Sequence, residues 1–250
     1  MTVRVGLTLP SFVEDPEIPI TVARAAEAAE LDGVFVYDHL WRGDPPNRRP
    51  ALECFALLGA VAAETGRVHV GTLVARATLR PAATLANSFA TAQRVSGGRL
   101  IAGIGAGDSQ SRAENEAFGL EFGSMVDRVD ALHNAVRAVE GHDYPVWVGG
   151  RAAQVREIVT IADGWNSWDS TPERFAHQGA LVREIARHAT LTWGGLARPL
   201  EEGASSLVAR LRPYVDCGAA WIIIGPVDST NPDNAAVIGD VRAALNVPAA

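Results

Sequence analysis

Eight times along this chain a short apolar run gives way to a stretch with apolar residues at helical spacing, and that alternation limits the fold more than any single motif does. The β-compatible runs fall at 3–9, 34–37, 68–75, 100–104, 145–150, 163–168, 188–193 and 220–225. Helical patterns follow them at 21–31, 51–65, 81–95, 111–118 with 125–140, 152–161, 172–186, 200–217 and 234–245. Short, continuously apolar strands separated by helices are what a parallel sheet covered on its outer face looks like in sequence. Eight such units in 250 residues, 48% of them hydrophobic, predict one α/β domain over 1–250, a (β/α)8 TIM barrel. An open, doubly wound sheet is the alternative on pattern alone.

In a barrel the reactive face lies at the C-terminal ends of the strands, and the polar and glycine-rich residues collect there. Asp38-His39-Leu40-Trp41 follows the second run, Thr72 ends the third, and Gly149-Gly150 ends the fifth. The fourth closes in Gly103-Ile104-Gly105-Ala106-Gly107-Asp108. A dinucleotide fingerprint would need a third glycine at 108, where Asp108 stands. A phosphate-binding P-loop would need a lysine, and the chain has none: its 22 basic residues are all arginine. Asp108 reads either as a proton-transfer group or as the cap of the helix that follows.

The absence of lysine also excludes a Schiff-base aldolase or a pyridoxal-phosphate enzyme, since both need that amine. A formal charge of -7 without a basic block argues against nucleic acid or an anionic membrane as partner, so a small-molecule substrate is expected. Cys54 and Cys217 are far apart and have no histidine at ligand spacing, so neither a disulfide framework nor a metal site is expected. With no leader-like or membrane-spanning apolar stretch, a cytoplasmic setting is expected. Gly97-Gly98-Arg99 reads as a turn with a surface arginine, Cys54 as a buried apolar residue, and Arg48-Arg49 as a solvated loop face.

The chain resembles the luciferase-like flavin or deazaflavin oxidoreductases, and among them the members that use coenzyme F420. The matching segments are Gly6-Leu7-Thr8-Leu9-Pro10, Val36-Tyr37-Asp38-His39-Leu40, Val70-Gly71-Thr72-Leu73-Val74, Ser96-Gly97-Gly98-Arg99-Leu100 with Gly103 to Gly107, Val148-Gly149-Gly150 and Ala162-Asp163-Gly164-Trp165. They come in family order over most of residues 3 to 170. The resemblance implies an enzyme moving a hydride between F420 and a small organic substrate, or, as the alternative, a monooxygenase using reduced FMN and oxygen. A binding protein without catalysis is a third reading.

It further implies that Asp38 and His39 approach the ring and substrate, with Trp41 at the site edge and Asp108 as a further proton group. Leu73-Val74 would be a cis peptide bulge behind the ring, next to Thr72. Gly105, Ala106 and Gly107 would meet the cofactor's side chain, while Val148, Gly149, Gly150 and Trp165 would line its tail. Two features depart from the family: the insertion before the fifth strand is reduced to His142-Asp143-Tyr144, and aspartate stands at 108 where one deazaflavin branch has glutamate. The family pairs its barrels, and the helix from Ala51 to Ala63 is apolar on more than one face, so a homodimer is expected.

Overall fold

The computed structural model describes residues 2–43, 48–108 and 111–247. Among them, eight parallel strands close a ring: β1 Arg4–Thr8, β2 Gly33–Val36, β3 His69–Thr72, β4 Leu100–Gly105, β5 Val146–Gly149, β6 Gly164–Trp168, β7 Thr190–Ala197 and β8 Trp221–Pro226. Each pairs with the next in chain order, and β8 returns to β1 with Arg4 opposite Trp221 and Leu7 opposite Ile224. The barrel, not the open sheet, is the fold. Helices wrap it outside: α1 Glu17–Ala28, α2 Cys54–Glu64, α3 Ala82–Val95, α5 Met125–Ala138, α6 Pro172–Ile185, α7 Pro199–Asp216 and α8 Asn234–Leu245, while the short α4 Arg112–Ala117 sits in the loop after β4. The middle of the proline- and arginine-rich loop, 44–47, lies outside the described residues.

Alternation along each strand divides the apolar residues into two cores. Val5, Leu7, Val34, Val36, Leu100, Ala102 and Ile104 join the helices in the outer core. Phe35, Leu73, Ile101, Trp147, Trp221 and Ile223 form the inner one. Three of its rings meet inside the barrel, with centroids 5.4 to 5.9 Å apart. Glycines on facing strands leave the room: a Cβ on Gly71 would stand 2.6 Å from the Ile101 carbonyl and 3.0 Å from the Phe35 ring. Large and small inward residues are thus matched across the barrel, which packs it shut below the mouth.

Four local expectations change. The 152–161 segment is mostly turns ending in a 3-10 helix at Ile158–Ile161, with Ala152, Val155, Ile158 and Val159 buried. β7 runs through Gly194 and Gly195 instead of stopping before them, since the rings of Trp168 and Trp193 occupy the space that side chains there would need. α1 begins at Glu17, with Pro19 tolerated in its first turn, and is over before Glu30, whose φ is 59°. Arg99 is no surface arginine: it is half-buried and donates to the carbonyls of Ala62, Thr65, Val68 and Ser96, capping the C-terminal end of α2. Cys54 is buried, and burial pushes its thiol up.

Candidate active site

β3 leaves the sheet after Thr72 and rejoins it at Ala75–Arg76, which pairs with Ile104 and Gly105 of β4. Between them the Leu73–Val74 peptide is cis, as the resemblance implies. The detour pushes the Val74 side chain over β4 and β5, where glycines make its seat. A Cβ on Gly149 would lie 3.1 Å from Val74 Cγ1, one on Gly103 3.3 Å, and one on Gly105 would overlap Cγ2 outright. The glycine spacing of the fourth strand is thereby explained by packing as much as by ligand access.

Above this bulge opens a cleft of about 690 Å³ at the C-terminal mouth of the barrel. Asp38, His39, Leu73, Val74, Gly105, Ala106, Gly107, Asp108, Gly149 and Gly150 all line it. Thr72, Val148 and Trp165 stand behind the wall. Thr72 donates its hydroxyl to the Gly103 carbonyl at 2.6 Å, and Val148 is buried in the outer core. Trp165 donates its indole N–H to the Gly150 carbonyl at 2.8 Å and stacks on Phe175. Trp41, expected at the site edge, is not among the residues lining the cleft: its ring lies 5.5 Å from that of Phe118, and the Arg48 guanidinium lies 3.8 Å over it, so Arg48 stacks where a purely solvated loop was expected.

A buried chain of charges organises the His39 side. Asp38, only 2% exposed, accepts two bonds from Arg80, at 2.7 and 3.0 Å, and one from the Arg76 amide at 2.8 Å. The Arg76 side chain donates to the Asp38 carbonyl and pairs with Glu114 at 2.7 Å. Glu114, 3% exposed, lies 3.0 Å from His39 Nδ1 and accepts from the amides of Leu40 and Trp41. Burial pushes the Glu114 carboxyl up, but the bonds to His39, the Arg76 charge and the Trp41 amide outweigh it and hold the group below its ordinary value. With Nδ1 held on a carboxylate, the imidazole is fixed in orientation and its Nε2 is left for a ligand. Glu114 escaped the reading of the sequence because it lies 75 residues from its partner, inside an ordinary polar helical stretch.

Asp108 Oδ1 accepts from both the amide and the hydroxyl of Ser111, at 3.2 and 3.3 Å, at the entry to α4. After Gly149 and Gly150 in the chain come Arg151 and Gln154, and the Ala152 amide donates to Gln178 of α6 at 3.1 Å; these residues, with Arg174 of α6 and Arg128 of α5, also line the cleft. Arg128 is 5% exposed, its guanidinium 4.2 Å over the Phe122 ring, and its Nε is buried without a hydrogen-bond partner among the described residues. A polar group so placed calls for an acceptor. Among the described residues no cluster of metal-ligating side chains occurs, and no helix is long and apolar enough to cross a membrane.

The fold coincides with that of solved structures. An F420-dependent secondary alcohol dehydrogenase in complex with an F420-acetone adduct superposes with a TM-score of 0.82 at 16% identity, over 98% of this chain and 99% of that one. The coenzyme F420-dependent tetrahydromethanopterin reductase of Methanopyrus kandleri gives 0.74 at 14%, over 96% and 98%. In sequence, an F420-dependent glucose-6-phosphate dehydrogenase of Nakamurella multipartita is 34% identical over 133 residues, which is 52% of this chain and 36% of that protein. The match thus spans about a third of that relative's length. An uncharacterized protein of Mycobacterium tuberculosis is 25% identical over 248 residues, 82% of this chain and 84% of that one. The family model for luciferase-like monooxygenases matches residues 4–201, and the chain belongs to that family.

Proposed function

We propose that this protein is an F420-dependent oxidoreductase that moves a hydride to or from a small organic substrate. The observation that carries the reading is the arrangement across the mouth: an apolar bulge at Val74, a histidine oriented by a buried carboxylate, and arginines lining the same cleft. The residues fit a ring with an anionic side chain. Val74 would back the ring, Gly105 to Gly107 and Gly149-Gly150 would let the side chain lie close, and Arg128, Arg151 and Arg174 would meet its negative charge. When bound, the deazaflavin accepts or donates two electrons as a hydride. His39 Nε2 takes the hydroxyl proton of an alcohol as its C–H bond is broken, or returns a proton to the oxygen in the reverse direction. Glu114 balances the charge that His39 gains. Asp38, with both oxygens engaged by Arg80, is a positioning residue.

Names of relatives support the F420 reading, and the family's monooxygenases favour reduced FMN with oxygen as the second one. Titrating the purified protein with F420 and with FMN, followed by fluorescence, separates them. Saturable micromolar quenching by F420 with none by FMN is the expected result, and the reverse overturns the proposal. Binding without turnover on any of a panel of alcohols and ketones would leave a binding protein.

The assembly is proposed to be a homodimer through α2. No charged residue occurs between Cys54 and Ala63, and Ala56 and Ala63 are exposed on its outer face beside half-buried Phe55, Gly59 and Ala60. Light scattering at micromolar protein should give twice the mass of one chain; a monomer mass removes the idea.

A further inference from the structure

The mouth of the barrel is chemically divided. Arg128, Arg151 and Arg174, with Gln154 and Gln178, line it beyond β5. Over β2 and β6 the cleft is lined by Tyr37 and Trp168, beside Asn166, Ser167 and Ser170, whose polar side chains are engaged by Thr192 and by each other. The Phe12 and Tyr37 rings stack at 6.0 Å with 21° between their planes, and Trp168 meets Tyr37 edge-on at 6.0 Å and 85°. Tyr37 turns its hydroxyl onto Thr8 Oγ1 at 2.9 Å, and burial pushes that phenol up to about 12, so it stays neutral. Trp168 is 39% exposed and Leu196 41%, yet neither hangs loose. β6 pairs Trp168 with Gly194, and a Cβ on that glycine would lie 2.7 Å from the indole. β7 pairs Leu196 with Gly225, whose Cβ would lie 3.1 Å from the leucine methyl. Two large apolar side chains are therefore held rigidly against glycines while open to solvent at the mouth. Together with Tyr37 they form an apolar rim on one side of the mouth, the kind of surface that a planar apolar ligand covers.

We propose that this half of the mouth is the substrate subsite, and that it takes a flat, uncharged, apolar molecule: an unsaturated or aromatic ring with one oxygen that reaches His39. The Trp168 indole is its main wall and Leu196 its outer lip. A phosphorylated sugar is not expected as a class, because Arg76, the cation that lines the cleft beside Asp38, is buried and engaged by the Asp38 carbonyl and Glu114, while Arg128, Arg151 and Arg174 lie beyond β5. Arg42 is exposed and already stacked, its guanidinium 5.3 Å over the Phe12 ring. The inference rests on the oxidoreductase reading for its chemistry and on the geometry alone for its ligand class.

The test is equilibrium binding to the full chain by calorimetry, with 2-naphthol and glucose 6-phosphate as probes and F420 titrated separately. 2-Naphthol should bind at least tenfold more tightly than glucose 6-phosphate. Trp168→Ala should weaken it by tenfold or more, with Trp168→Phe falling between, while the F420 titration stays within twofold of wild type. Leu196→Glu, at an exposed position, gives a second reading should Trp168→Ala fold poorly, and should weaken naphthol severalfold. Tighter binding of glucose 6-phosphate, or naphthol binding that ignores both positions, overturns the subsite. A concentration-dependent shift of Trp168 emission without any probe would assign the face to a second copy of the chain and overturn it as well. Loss of F420 binding in the wild type, with naphthol still captured, would fail the cofactor reading and leave the subsite standing.

Discussion

Asp108 accepts from the amide and hydroxyl of Ser111, and an asparagine oxygen can accept the same two bonds. Asp108→Asn is therefore expected to leave melting nearly unchanged, since the two residues cap about equally well, and to leave turnover within severalfold. A large rate loss with unchanged melting would make Asp108 a proton carrier instead. His39 has the opposite profile. His39→Ala should lower turnover by about 10² to 10⁴, the usual contribution of a general acid-base group, without moving the melting curve much, because its ring is partly open to the cleft. Unaltered turnover would remove it from the mechanism. The Asp38-His39 pair could be read in sequence because it closes an apolar run where a barrel puts its chemistry. What holds the pair could not be. Arg76, Arg80 and Glu114 approach Asp38 and His39 from 38, 42 and 75 residues away, and such pairings follow from barrel closure, not from any local spacing.

The joins between elements carry the next level of specificity. Where α2 turns into β3, the amides of Gly66, Arg67 and Val68 converge on the Glu27 carboxylate of α1, at 2.5 to 3.0 Å. Burial pushes that carboxyl up, but the three amide bonds and the Arg67 charge outweigh it, so its value falls below the ordinary 4.5. A group depressed on folding contributes stability above its unfolded value and loses it as pH falls through the folded one. Glu27→Gln should thus destabilise at pH 7, by about 1 kcal/mol for charge-assisted bonds at a half-exposed site, and the gap to wild type should narrow as pH falls through the depressed folded value. Urea melts at pH 7 and pH 3.5 check it; a gap that persists at low pH would mean shape, not charge, is at stake. At the bulge, Gly105→Ala would drive a methyl into Val74 and should cost about 1–3 kcal/mol, along with F420 affinity if the ring rests there. Elements with a clear apolar period were legible: β4, β5, β6 and β8 fall where the runs predict. The two-residue ribbon of Trp41–Arg42 with Arg49–Pro50 was not, because two residues carry no period.

A barrel is closed by joining its first strand to its last, and here side chains reinforce that seam. Asp32, at the turn into β2, accepts from the Val5 amide of β1 at 2.8 Å and takes a two-point contact from Arg242 of α8, at 2.7 and 3.0 Å. One turn on, Asn246 accepts from the Val3 amide and donates to the Val3 carbonyl, both at 2.9 Å, so its side chain acts as a short stretch of paired strand. The last helix is thus bound through polar side chains to the strand that begins the ring, and the seam is held outside as well as by the β8–β1 ladder. Removing the guanidinium takes away both contacts and leaves the partly buried Asp32 carboxylate with the Val5 amide, so Arg242→Ala should destabilise by about 2 kcal/mol. For a chain of this size that corresponds to a fall in Tm of roughly 4–8 °C. Arg242→Lys should recover only part of it, because an ammonium cannot span both oxygens. The control is Glu116→Ala, which breaks an exposed pair with Arg112 on a four-residue spacing and should shift stability by less than about 0.5 kcal/mol. If the two alanine variants melt alike, closure of this barrel resides in its strand ladder and inner aromatic core, and the Asp32–Arg242 contact is a surface ornament of the seam.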